Sequence, residues 1–268
     1  MNFITILKMK ILLAAILTLI GITSQGQTLK VIEQVLLKQI NKITYWSEYN
    51  GNNPKINRDD SLIKANYQFQ KNLLHYTSSN PATLSFAFAE LTKVGVDIAT
   101  SEDRLFRIYS WDNKEGGTMR FFNNVYQYKI GNKIFSQKVE HSANDEYPGS
   151  FYSNTYTLKS GAKTYYLSVY HSIFSTSDSY QGIKVFSIGN NALNDGVKLI
   201  KTKSGLNNTL GFNFDFFSVV DFKERPVILI KYNPALKSFS IPVVLENGEV
   251  TDKKIIYKFT GQYFELIK

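Results

Sequence analysis

The sequence predicts a mainly β protein with an N-terminal helical segment, α+β taken as a whole. Three observations carry this. Aromatic residues make up 14% of the 268-residue chain, with 19 Phe and 17 Tyr, and both types favour the half-buried surface of a strand. Past Pro81, runs with two-residue alternation are separated by Gly-, Asn- and Asp-rich turns, which is strand and hairpin punctuation. Before Pro81, apolar residues recur every three or four positions instead, the period of an amphipathic helix.

The first element is a leader. Ile11 to Ile22 is an apolar run of 12 residues preceded by Lys8 and Lys10 and followed by Thr23-Ser24-Gln25-Gly26. A positive start, a short apolar run and small residues before a polar stop predict a secretory signal peptide over 1–26. The run is short of the about 20 residues that a spanning helix needs. An uncleaved anchor is the alternative, and Met9 offers a second start. The expected location is extracytoplasmic, periplasmic or secreted, with no membrane span once the leader is removed.

Residues 27–81 read as a helical pair. Leu29, Ile32, Val35, Leu36, Ile40 and Ile43 form one stripe, and Leu62, Ile63, Tyr67, Leu73 and Leu74 form the other. Asn50 to Pro54 breaks the pair, and Asp59-Asp60-Ser61 supplies negative charge and a cap at the second start. The pair either covers a face of the β domain or docks a partner.

Residues 82–268 read as an antiparallel β domain. Leu84, Phe86 and Phe88 alternate as in a strand, although Ala and Leu also permit a short helix through Leu91. Strands follow at Val96–Thr100, Leu105–Trp111, Phe121–Ile130 and Ile134–Val139, the last two joined by Gly131-Asn132, a dipeptide suited to a two-residue hairpin. Further runs continue to Ile267, including Thr209–Val220 and Val227–Tyr232. Consecutive strands with short turns predict a meander, a sandwich or a bent sheet.

Ile98 to Asp112, IATSEDRLFRIYSWD, resembles the middle hairpin of a WD-repeat propeller blade, with an acidic turn and an aromatic strand ending in Trp-Asp. The match does not recur at a fixed period, so it implies a propeller-blade-like hairpin rather than a propeller. As a whole the chain also resembles uncharacterised exported β-rich proteins of Bacteroidetes-type bacteria. The shared features are the leader, the lack of Cys and Tyr109-Ser110-Trp111-Asp112 followed by Gly-Gly-Thr-Met. That resemblance implies location and a β-rich fold, and carries no activity.

With no Cys, the chain has no disulfide, thiolate metal site or Cys nucleophile. The net charge of +9 is mostly dispersed Lys, without the concentrated run of a nucleic-acid binder. His75, His141 and His171 are scattered, and no metal or cofactor is expected. Ser160-Gly161-Ala162-Lys163 and Lys203-Ser204-Gly205 match fragments of the penicillin-recognising pattern. They fall in turns rather than at the start of a buried helix, and no Ser-Asp-Asn lies between them.

The richest stretch is Ser101 to Ser136, with three of the five Arg and one of the two Trp. Alternation puts Leu105, Arg107, Tyr109 and Trp111 on one face of a strand. Arg107, Tyr109, Trp111 and Arg120 are the candidate ligand-binding residues, because a guanidinium among aromatic rings can stack a sugar or a peptide. The alternative is a cation–π ladder packed under the helices. The expected function is a non-catalytic binding or structural protein of the envelope, with a glycan, peptide or protein ligand. The second expectation is a polysaccharide hydrolase using two of Asp103, Asp112, Glu115, Asp145, Asp178 and Asp215.

Overall fold

The structure is a computed structural model and describes residues 28–51, 53, 55–139 and 147–267. The expected leader, His141 and Asp145 lie outside the described residues. Two helices come first, α1 (28–48) and α2 (Arg58–Ser79). In α1 the predicted stripe is the buried one, with Leu29, Ile32, Leu36, Ile40 and Ile43 all sheltered. In α2 the stripe is rotated from the expected one. Leu62, Ala65, Phe69 and Leu73 are buried, while Ile63 and Tyr67 face solvent. The cap of α2 is Asn57, whose side chain accepts from the backbone of Asp59 and Asp60. Arg58 ties the helices together by donating to the carbonyls of Trp46 and Ser47.

The expected strand around Leu84 to Phe88 is not a strand. A 3₁₀ turn occupies Pro81–Leu84 and a short helix, α3, occupies Ala89–Lys93. The Asn80 side chain caps the turn by accepting from the Ala82 backbone, and Pro81 is pre-set for that first position. The alternating Leu84 and Phe88 are buried all the same, so burial without ladder pairing accounts for the pattern.

Four strands follow as a meander: β1 (Val96–Thr100), β2 (Phe106–Asp112), β3 (Phe122–Ile130) and β4 (Lys133–Val139), in the order β1-β2-β3-β4. Residues 98–112 do form a hairpin, β1–β2. Ile130 pairs with Lys133 across Gly131, whose φ of 57° meets the turn requirement. The chain continues through β5 (Phe151–Ser160), β6 (Lys163–Ile173), β7 (Asp178–Ile188), β8 (Leu193–Asn194), β9 (Ile200–Thr202), β10 (Gly205–Asn207) and β11 (Thr209–Asp215). It ends with β12 (Lys231–Asn233), β13 (Ser238–Val244), β14 (Val250–Phe259) and β15 (Phe264–Leu266). The second sheet has the order β11-β7-β6-β5, with β8 on β7, and the third β10-β9-β15-β14-β13-β12. Two expected strands are truncated: the first stops at Asp215, where a 3₁₀ turn begins, and the second is confined to Lys231–Asn233.

The layers stack as helices, first sheet, second sheet and third sheet. Tyr109, Trp111 and Val125 pack on α1 and α2 from one face of the first sheet. Phe106, Ile108, Tyr126 and Tyr128 leave the other face and meet Tyr152, Tyr166, Tyr170 and Phe186 of the second. Leu167, Val169, Ile183 and Val185 leave the far face of the second sheet for Ile200, Phe239, Tyr257 and Phe264 of the third. The fold is therefore mainly β with antiparallel sheets packed as a sandwich and an N-terminal helical segment.

A buried polar contact ties α2 to the first sheet. Asn66, buried in the α2 stripe, accepts from Trp111 Nε1 at 3.1 Å and donates to the Asn113 carbonyl at 2.8 Å. Asn66→Ala strands both buried partners, which costs about 2–4 kcal/mol. Urea unfolding should show that loss as a lower midpoint, and an unchanged midpoint would mean that the contact contributes nothing.

Candidate functional site

The structure separates the four residues singled out in the sequence. Arg107, Tyr109 and Trp111 are 4%, 0% and 0% exposed, beneath the helices. Arg107 meets no carboxylate among the described residues. Its Nη1 donates to the carbonyls of Thr83 and Phe86 at 2.6 and 2.7 Å, and its Nε donates to Thr100 Oγ1 at 2.7 Å. Its guanidinium sits 5.7 Å from the Tyr109 ring centroid. Burial raises the Tyr109 phenol above its ordinary range, and the nearby Arg107 charge partly opposes this. The Tyr109 hydroxyl lies 3.1 Å from both the Thr83 carbonyl and Gln127 Oε1, while Gln127 Nε2 donates to the Thr77 carbonyl and Thr83 Oγ1. This network fastens the segment after α2 to the first sheet. A ligand would have to lift that segment to touch it. Arg120 stands apart, half exposed and paired with Asp112.

A partly enclosed polar space lies between the first and second sheets. It is a cleft of about 330 Å³ whose walls include Tyr126, Tyr147, Tyr152, Tyr170, Lys184 and Asp195. Alternation places these side chains. Tyr126 leaves the inner face of β3; Tyr152, Tyr170 and Lys184 leave the facing side of β5, β6 and β7. Gly182 lies directly opposite Tyr170 in the ladder, and a Cβ there would enter the Tyr170 ring. Gly211 leaves the same room for Tyr180. The two glycines let both rings lie across the strands, so that the Tyr170 and Tyr180 hydroxyls meet at 3.4 Å.

The hydroxyls form a connected lining. Tyr126 and Tyr152 share a bond of 3.1 Å, and Tyr147, Ser150 and Ser172 form a triangle of 2.6, 2.7 and 2.8 Å. Burial pushes the Tyr126 phenol up to about 12 and also raises Tyr152 and Tyr170 well above the ordinary phenol range. All three stay protonated at physiological pH, each able to donate and accept. Lys184 donates to Asp195 at 3.0 Å at the rim, so that pair adds no net charge. The cleft offers aromatic surface, hydroxyls and neutrality.

A serine and a histidine also meet, in a way that excludes nucleophilic catalysis by that pair. His171 Nε2 lies 2.8 Å from Ser153 Oγ. Gln181 Oε1 accepts from the backbone of Leu229 and Ile230, both at 2.7 Å, which fixes the amide orientation. Gln181 Nε2 must then donate, to the Val227 carbonyl and to His171 Nδ1. With Nδ1 accepting, the proton sits on Nε2 and His171 donates to Ser153 instead of taking its proton. Burial lowers the His171 pKa to about 3.

Of the candidate carboxylates, Asp103 accepts from Tyr166, and Asp112 holds Lys114 and Arg120. Asp178 and Asp215 are brought directly opposite each other by the β7–β11 register, on a cavity of about 420 Å³ that Glu246 also lines. Sequence reading missed the tyrosine cleft. Its Tyr-rich strands are visible in the sequence, but the pairing that turns four rings inward is not.

No protein-family model matches the chain, and no curated protein matches it. The fold and the cleft thus define the protein by architecture, as stacked antiparallel sheets capped by helices.

A buried histidine and a half-buried carboxylate set opposite acid responses. The unfolded chain protonates His171 near pH 6.5, whereas the folded chain does so only near 3, so stability falls with pH across that window. Asp97, on β1, is pushed up to about 6 by burial from 3.8. The folded chain takes that proton first, so stability rises as pH falls from 6 to 3.8. Each slope is at most about 1.4 kcal/mol per pH unit, and they offset. Asp97→Asn should steepen the acid loss of stability, and His171→Asn should turn it into a gain between pH 6 and 4. Urea midpoints measured across that range check both; parallel profiles for the wild type and Asp97→Asn would sink the assignment.

Proposed function

We propose that this is an extracytoplasmic, non-catalytic binding protein whose tyrosine cleft takes a neutral glycan. The observation that carries the reading is the lining itself. Four phenols and Ser150 around about 330 Å³ offer donors, acceptors and ring faces together. A sugar presents hydroxyls around an apolar C–H face, and Tyr matches both with its polar tip and its apolar body. The volume is at the small end of ligand pockets, suited to one or two sugar units. The leader-like run from Ile11 to Ile22 supports placement outside the cytoplasm, where glycans are abundant.

Calorimetric titration with neutral mono- and disaccharides tests the reading. Saturable binding is expected, weakened about tenfold by Tyr170→Phe, which removes one hydroxyl but keeps the ring over Gly182. Binding that is indifferent to Tyr170→Phe, or absent across the panel, would remove the proposal.

The Asp178–Asp215 register favours a second reading, hydrolysis of a polysaccharide. Side chains directly opposite in a ladder have Cβ atoms about 5 Å apart, which suits the short carboxylate separation of a retaining glycosidase. Under this reading, Asp178→Asn and Asp215→Asn each abolish the release of reducing ends from envelope polysaccharide. Wild-type protein that releases none counts against it.

A further inference from the structure

A third cavity, of about 390 Å³, lies where the β2–β3 loop meets the β6–β7 hairpin and the turn after β11. Thr118, Arg120, Ser175, Thr176, Ser179 and Phe216 line it. We propose that this cavity binds a carboxylated sugar, a uronate, with Arg120 holding the carboxylate. The site is separate from the tyrosine cleft and stands whether or not that cleft takes a ligand.

The case rests first on how Arg120 is held. Its backbone N–H donates to the Ile173 carbonyl at 3.1 Å, which pins the loop to the hairpin. Gly116 makes the loop tight enough for this, since a Cβ there would strike the Met119 carbonyl and the Phe121 ring. Arg120 Nη1 reaches Asp112 Oδ2 at 3.0 Å. Among the described residues no other acceptor meets the guanidinium, so Nε and Nη2 remain available as the two-pronged donor that a carboxylate fits.

Charge points the same way. Asp112 is also gripped by Lys114 at 3.1 Å. Two cations on one carboxylate leave that triad singly positive. Asp178 and Asp215 line a different cavity. The other walls are hydroxyls and one ring. Ser175 Oγ accepts from the Asp178 backbone at 2.9 Å and lies 3.5 Å from Ser177 Oγ. Phe216 is partly exposed and backed by Arg225 at 5.8 Å, a surface for the apolar face of a sugar ring. A cation, several hydroxyls and one aromatic ring fit a sugar acid better than a simple anion.

Titration of the whole protein with glucuronate, glucose, acetate and an N-acetylated dipeptide tests this. Glucuronate should bind more tightly than glucose or acetate, and the difference from glucose should shrink at high salt. Arg120→Gln should weaken glucuronate about tenfold and leave any neutral-sugar response intact, whereas Tyr170→Phe should leave glucuronate binding intact. Asp112→Asn, which removes the competing carboxylate, should tighten it. The proposal fails if glucuronate binding is absent, or if Arg120→Gln folds normally and binds glucuronate as the wild type does. Preference for the dipeptide or for acetate would also overturn the assignment to a sugar.

Discussion

Two-sided burial is the constraint on which the rest of this structure depends. The first and second sheets are each covered on both faces, so most side chains of β2, β3, β6 and β7 must find an interior partner. For apolar residues this is the ordinary gain of burial. For polar ones it is a demand, because a buried donor or acceptor without a partner costs more than its bond returns. Arg107, Asn66, Gln127 and Gln181 show the same solution. Each is sheltered and bonded to backbone atoms of a neighbouring segment. The polar residues of the core therefore fasten layer to layer.

The same constraint locates the places where a ligand can enter. Function needs polar groups that the fold leaves reachable, and these lie where the layers separate or where loops overhang a sheet end. The tyrosine cleft is of the first kind. Its hydroxyls bond to one another, and Tyr can exchange such partners for those of a ligand. The Arg120 cavity is of the second kind, held by a loop whose backbone is tied to the neighbouring hairpin. Arg107 and Arg120 are close in sequence yet opposite in situation. One guanidinium is enclosed by carbonyls, and the other looks out of a pocket.

Much of the fold was legible in the sequence. The helical periodicity of Leu29 to Ile43, the hairpin at Gly131-Asn132 and the two faces of Phe106 to Trp111 all follow from local periods and turn chemistry, and each is found as read, whereas Leu105 lies outside the strand and is exposed. The misreadings share a cause. Leu84 and Phe88 are buried, but the Asn80 cap and Pro81 start a 3₁₀ turn that ends at Leu84, and α3 begins at Ala89, so the segment joins no sheet. In α2, Ile63 and Tyr67 face solvent while Asn66 faces inward, because Trp111 supplies Asn66 with a partner from another layer. Local pattern reports what can be buried; the neighbouring layer decides what is.

The sequence by itself determined the class of element at most positions, the two-faced strand around Trp111, and the residue types from which any site had to be made. These are properties of short-range periodicity and backbone preference, which act within a few residues. Only the tertiary structure decided that Arg107, Tyr109 and Trp111 lie beneath the helices, that four tyrosines from β3, β5, β6 and the segment before β5 share one cleft, and that Asp178 faces Asp215. Those outcomes depend on which sheet face packs on which layer and on strand register between segments tens of residues apart. A register shift of one residue would send each set of side chains to the other face.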